Sequence, residues 1–372
     1  MGNIVDYVKE HGRFSFKERP FCKEDSLVLC ALSYLKFDEL MPSATAQRCL
    51  LREFKTSDQF DSLFICNKYE KENRDLFEKV SSSERFRSMS LSFYVNKIEE
   101  ESGTQFSAVT MWLPTKICFV AFRGTDENLV GWREDLALAL DRPIQGQRMS
   151  AEYLDQVAQI TKQSFMVGGH SKGGNLAMYS AMNCKEQTKE KIEALYILDG
   201  PGFRPEVLEE YGFSQIKDKV VSIIPKSSYI GLLFATDINS TVVNAKSLGF
   251  SQHNLYKWVI RDGMLSETEL TSQHKLLLNT VNEWVYAAKP EEMERFVYLL
   301  DGIIKATQAE TTLDLAKDGF KYASNVIKAS KDVDDSTKKF LIKFTKSYFD
   351  IAFGMVKDDV KERIEDNKKS KQ

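Results

Sequence analysis

Ser171 lies in the run Gly169-His170-Ser171-Lys172-Gly173, with a further glycine at 174. A serine hydroxyl is a weak nucleophile until a base takes its proton and the line of attack is fixed. A Gly-x-Ser-x-Gly run supplies the geometry, because it sets the serine on a strained strand-to-helix corner where glycines admit close backbone approach. Five such residues also arise as a plain glycine turn with a passive serine, so the context decides. Here an apolar run at 165–168 precedes the motif and a helix-forming run at 175–182 follows it, the strand–turn–helix setting this chemistry requires. The expected reaction is attack of the Ser171 hydroxyl on a carbonyl carbon, giving an acyl-enzyme.

The tetrahedral intermediate needs amide donors aimed at its oxyanion. One is the backbone N–H of Lys172, directly after the nucleophile and at a helix N-terminus. The second belongs in a loop after an earlier strand. Phe122-Arg123-Gly124-Thr125-Asp126 closes such a strand, so Thr125 is the candidate, giving its backbone N–H while its hydroxyl fixes the loop. The plainer reading is an ordinary turn. The Lys172 side chain has three readings: support for developing negative charge, recognition of an acidic substrate group, or a solvent-facing cation. Arg123 and Asp135 are expected to pair across the loop, and 127–132, with Leu129, Val130 and Trp132, is placed like a lid or a packing segment.

The base should be a histidine beyond the serine, since the chain order in this kind of site is Ser, acid, His. His253 and His274 qualify. His253 lies past the last strand-like run, whereas His274 sits among helix-forming leucines, so His253 is the choice. His11 is in the N-terminal segment, and His170 is locked beside the serine.

The elements that would carry these residues follow from the patterning. Residues 1–60 read as helical, with apolar spacing through Leu27, Val28, Ala31, Leu32 and Leu35 and a stop near Pro42; 61–100 is charge-rich and reads as helix plus loop. Residues 106–113 and 116–122 are β-branched and aromatic and predict a strand pair joined by Pro114-Thr115. A helix is expected over 150–161, and further strands at 194–198 and 219–224. Alternating strands and helices imply a largely parallel sheet flanked by helices on both faces. From about 265 the strand signals fade into three amphipathic helical stretches near 291–308, 311–330 and 335–362. They read first as a cap or terminal bundle, with peripheral membrane contact the lesser reading. The division implied is a hydrolase-type domain over 1–285, mainly helical in 1–100, and a C-terminal helical region over 286–372.

The 372 residues suffice for a sizeable core, and 42% hydrophobic with 28% charged residues is ordinary for a globular chain. A net charge of −3 gives no reason to expect nucleic acid as a partner. The six cysteines are scattered without a Cys-x-x-Cys pair, so no zinc ribbon or redox motif is supported, and no metal or other cofactor is expected. The charged opening stretch does not resemble a signal peptide, Asp6 spoils a myristoylation signal, and no run approaches the ~18 apolar residues of a membrane span. The cytoplasm is the expected location.

Phe122-Arg-Gly-Thr125, Gly131-Trp-Arg-Glu-Asp-Leu136 and Gly169-His-Ser-Lys-Gly-Gly174 together resemble the class 3 lipases. With Asn3-Ile-Val-Asp-Tyr7, Gln105-Phe-Ser-Ala-Val109, Asp199-Gly-Pro-Gly-Phe203 and Ser251-Gln-His-Asn254, the chain more closely resembles the bacterial Mbeg-like branch of α/β-hydrolases, over about residues 1–260. The resemblance implies an α/β-hydrolase fold and hydrolysis of an acyl ester, with a small-molecule ester or lipid-like molecule as substrate. Class 3 lipases carry their acid in the loop after the second strand beyond the elbow. Here that loop, Ile224-Pro-Lys-Ser-Ser-Tyr-Ile-Gly231, holds no carboxylate. Asp199 is the first substitute, in a Leu-Asp-Gly-Pro setting similar to the Leu-Asp-Pro of pancreatic-type lipases. Asp237 is the second, and a hydroxyl from Ser227 or Ser228 the third; a turn-forming Asp199 is the plain alternative. Against a serine esterase stands a non-catalytic binding protein on the same frame, favoured by the missing loop acid and the lysine in the elbow. A peptidase or thioesterase would use the same residues with another pocket.

Overall fold

The computed structural model describes residues 2–65, 69–126, 134–135, 137–138, 143–234, 238–247 and 249–271, and the isolated positions 282, 291, 324, 338 and 342. The lid-like stretch 127–132, Asp237, His274 and the three C-terminal helical stretches lie outside the described residues apart from those isolated positions.

Among the described residues eight strands form one sheet in sequential order: β1 (Cys49–Leu50), β2 (Ser90–Glu99), β3 (Thr104–Leu113), β4 (Ile117–Phe122), β5 (Phe165–His170), β6 (Ile192–Leu198), β7 (Val220–Pro225) and β8 (Thr241–Val243). Pairing is antiparallel from β1 to β4 and parallel from β4 to β8. The expected strand pair is β3 and β4, in register from Ala108 opposite Phe122 to Leu113 opposite Ile117.

The sequence reading of 61–100 needs correction at its end, because residues 90–99 form the long strand β2. Its alternation is hidden by an irregularity between Ser92 and Val95, where Phe93 takes φ 54°. Such a bulge puts side chains out of the two-residue period that announces a strand.

Helices cover both faces. Five are used below: α1 (Ile4–His11), α2 (Lys23–Leu32), α3 (Glu70–Ser82), α4 (Gln145–Ile160) and α5 (Lys172–Asn183). Strand β4 shows the division at single-residue spacing. Phe119 and Ala121 join a core with Leu27, Val28 and Ala31 of α2 and Leu76 and Phe77 of α3. Val120 and Phe122 join a second core with Leu154 and Val157 of α4 and Leu176 and Ala177 of α5. This is the two-residue alternation of a strand buried on both sides.

The N-terminal layer is fastened by Arg85, whose side chain is fully buried. Its Nε and Nη2 donate to Asp25 at 2.7 and 2.5 Å, and its remaining bonds go to the carbonyls of Phe14, Ser15, Arg19 and Pro20. One guanidinium thus satisfies an irregular stretch that has no backbone ladder of its own. Among the described residues no helix is long and apolar enough to cross a membrane.

Candidate active site

Strands β4, β5, β6 and β7 end at the same edge of the parallel sheet, so the residues that follow them converge: Arg123–Asp126, Ser171, Asp199 and 226–231. The edge outside the carboxyl ends of parallel strands is where open α/β sheets build sites.

Ser171 is the one-residue corner between β5 and α5, with φ 58° and ψ −132°. L-residues avoid such a conformation, which persists only when its surroundings over-determine it. Hydrogen bonds hold both sides: Ser171 N–H donates to the Leu198 carbonyl at 3.0 Å, and Gly174 N–H to the Ser171 carbonyl at 2.9 Å. Gly173 is needed for a separate reason, since a Cβ there would land on the carbonyl oxygen of Phe122. Gly124 packs as closely from the other side: a Cβ on it would lie 2.5 Å from the His170 carbonyl oxygen and 3.0 Å from Ser171 Cβ. The loop after β4 and the elbow are therefore in backbone contact.

Asp199 follows β6 directly and is another left-handed residue, at φ 46°. Its buried carboxylate receives three donors. Ser228 Oγ–H at 2.5 Å and Gly231 N–H at 3.0 Å donate to Oδ1, and His253 Nδ1–H donates to Oδ2 at 2.6 Å. With Nδ1 carrying the proton, Nε2 is the basic nitrogen of the His253 ring. The loop 224–231, empty of carboxylates, thus supplies a hydroxyl and an amide that orient Asp199. Ser228 holds the carboxylate, not the histidine; Ser227 gives its N–H to Gln252 Oε1 at 3.1 Å.

His253 ends a 3-10 turn (Gly249–His253) whose neighbours are tied down. Gln252 Nε2 donates to the Ser247 carbonyl at 2.9 Å, and buried Trp258 Nε1 donates to the Gln252 carbonyl at 2.8 Å. The His253 carbonyl accepts from His170 Nε2–H at 2.8 Å, and the two rings lie 4.4 Å apart. Burial first, and the neighbouring His253 second, hold the His170 imidazole well below its usual 6.5, so it stays neutral.

Lys172 departs from all three sequence readings. It is 2% exposed, and its Nζ donates to Glu134 Oε2 at 2.7 Å and to the Gln105 carbonyl at 2.9 Å. Glu134 in turn accepts the N–H groups of Gln105 at 3.2 Å and Gly146 at 3.1 Å. The cation is neutralised within the structure and fastens α5 to β3 and α4. Its backbone N–H remains at the first position of α5. The expected Arg123–Asp135 pair is not formed: Arg123 Nη2 lies 3.6 Å from Asp126 Oδ2 and donates to Asn96 Oδ1 at 2.9 Å. Asp135 instead accepts the Thr125 hydroxyl on both oxygens, at 2.9 and 2.8 Å. Burial pushes the Asp135 carboxyl up to about 6, against the opposing pull of Lys172 and the Thr125 hydroxyl.

Glu134, Gln105 and Tyr34 were not singled out by sequence reasoning. Glu134 and Gln105 stand inside matched segments, but their partners are 38 and 67 residues away in the chain, so only the fold pairs them.

The sheet, with its five parallel strands, two helical layers and Ser171 elbow, defines an α/β-hydrolase fold. A family model described as Mbeg1-like matches residues 80–301, and the chain belongs to that family. The crystal structure of M37 lipase aligns with a TM-score of 0.38 at 10% identity, covering 71% of this chain and 80% of that one. Among curated proteins none matches.

Proposed function

We propose that this protein is a serine hydrolase that cleaves a carboxylic ester through an acyl-enzyme on Ser171. His253 Nε2 takes the hydroxyl proton as Oγ bonds to the acyl carbon, then returns it to the departing alkoxide. Water, deprotonated by the same nitrogen, releases the acid and restores Ser171. Asp199 fixes the His253 tautomer and stabilises the imidazolium that forms. The N–H groups of Lys172 and Thr125 face the oxyanion, and the Asp135 carboxylate holds the Thr125 loop through its hydroxyl.

The observation that carries this reading is the 2.6 Å contact of Asp199 Oδ2 with His253 Nδ1. It provides a carboxylate where the loop 224–231 has none. The elbow lysine, the other feature favouring a non-catalytic binder, is occupied by Glu134. The substrate class proposed is a small-molecule or lipid-like ester, with 1–285 as the hydrolase domain. Assay of p-nitrophenyl esters, acyl thioesters and peptides side by side tests it. Turnover of the esters, lost in Ser171→Ala, is expected; ester turnover surviving in Ser171→Ala, or activity confined to thioesters or peptides, overturns it.

A further inference from the structure

The residue before the nucleophile has an unusual set of partners. His170 Nε2–H donates to the His253 carbonyl at 2.8 Å, and on the other side of its ring Nδ1 meets the hydroxyl of Tyr34 at 2.8 Å. Tyr34 follows α2 and comes from the N-terminal layer, 136 residues away in the chain. Its hydroxyl also lies against Gly124, where a Cβ would strike it. One phenol therefore touches the loop after β4 and the elbow, and reaches the His253 backbone through a single ring.

The donor and acceptor directions along this chain are fixed by chemistry. A carbonyl only accepts, so the proton is on His170 Nε2. That leaves Nδ1 an acceptor and makes the Tyr34 hydroxyl the donor. Burial raises the Tyr34 phenol above its usual 10 and holds His170 below its usual 6.5, so both groups keep the protonation the chain requires. The arrangement also avoids a second cation beside His253, whose ring is 4.4 Å away and must carry a positive charge during turnover.

We propose that Tyr34 and His170 are positioning residues, a hydrogen-bonded strut through which the N-terminal layer fixes the backbone and ring of His253 against Asp199. The proposal rests on the serine-hydrolase reading for its kinetic consequence, but its structural content stands apart from activity. The strut makes the N-terminal helices part of the active-site apparatus as well as a cover for the sheet.

Two substitutions at one position separate positioning from packing. His170→Gln places an amide N–H where Nε2–H was and keeps donation to the His253 carbonyl. His170→Asn places its amide nearer the Nδ1 position and is too short to reach that carbonyl. The full chain is used, with thermal melting to show that each variant is folded. Fluorophosphonate labelling of Ser171 should slow about 100-fold in Asn, the scale for misplacing a reacting group by an ångström, and only a few-fold in Gln. Tyr34→Phe, which frees Nδ1 but leaves the ring, should slow about 10-fold.

Proton and nitrogen NMR of the histidines gives the second measure, in a chain with only four of them. The His253 Nδ1 proton held by Asp199 should give a downfield resonance that persists in the wild type and Gln and is lost to exchange in Asn. Equal labelling rates and equal resonances in Asn and Gln overturn the strut while leaving the hydrolase reading intact. Absence of labelling in the wild type would overturn the hydrolase reading, and the resonance comparison would still decide the strut.

Discussion

Asp135 shows how one carboxyl can link pH to the site. Its two oxygens accept the Thr125 hydroxyl, and burial raises it to about 6 from an ordinary 3.8. A carboxyl raised in the native state binds its proton more tightly there than in the unfolded chain. Its contribution to stability is therefore fully present below about pH 3.8 and is lost as pH rises through about 6. Asp135→Asn removes that dependence. The melting temperature of the wild type should fall relative to the variant as pH is raised from about 4 to about 7, measured by differential scanning fluorimetry. A gap that widens in favour of the wild type over this range would contradict the assignment. At the same scale, Ser171, Thr125 and His253 could be named as candidates because each is a chemically distinctive residue in a short local pattern. Asp199 was reached through the likeness of its Leu-Asp-Gly-Pro setting to pancreatic-type lipases, with Asp237 and Ser227 or Ser228 beside it. The roles of Ser228, Glu134 and Tyr34 were not, because a hydroxyl, a carboxylate and a phenol acquire them only through distant partners.

At the scale of elements, β5, α5 and the corner between them were readable, since the apolar run, the glycines and the helix-forming run are contiguous. Strand β2 was not, because its bulge at Phe93 breaks the alternation that identifies a strand. The position of α5 depends on a link the sequence left open, the buried Lys172–Glu134 pair at 2.7 Å. Removing one partner of such a pair leaves an uncompensated charge, at a cost of ~3–5 kcal/mol. Lys172→Met should lower unfolding stability by about that amount in urea titrations, and Glu134→Gln added to it should recover much of the loss. A Lys172→Met protein as stable as the wild type would show that the pair does not fasten the helix.

For the whole molecule, the two-faced burial of the parallel sheet was legible from alternating strands and helices. The dependence of the site on the N-terminal layer was not, because it rests on the non-local contacts of Arg85 and Tyr34. Arg85 joins Asp25 to four backbone carbonyls between 14 and 20, so Arg85→Met should cost ~3–5 kcal/mol in chemical denaturation, because it leaves Asp25 buried without its counter-charge, held only by the Tyr7 hydroxyl and the Cys22 N–H and thiol. A cost below about 1 kcal/mol, the scale of an exposed ion pair, would mean the layer is held by other contacts. All of these contacts matter for function only if the converging edge of the sheet makes Ser171 a nucleophile. The direct measurement is peptide mapping by mass spectrometry after exposing the full chain to a fluorophosphonate. The adduct is predicted on the peptide carrying Ser171, absent in Ser171→Ala and formed far more slowly in Asp199→Asn. An unlabelled wild-type chain, or an adduct on another residue, would contradict the account.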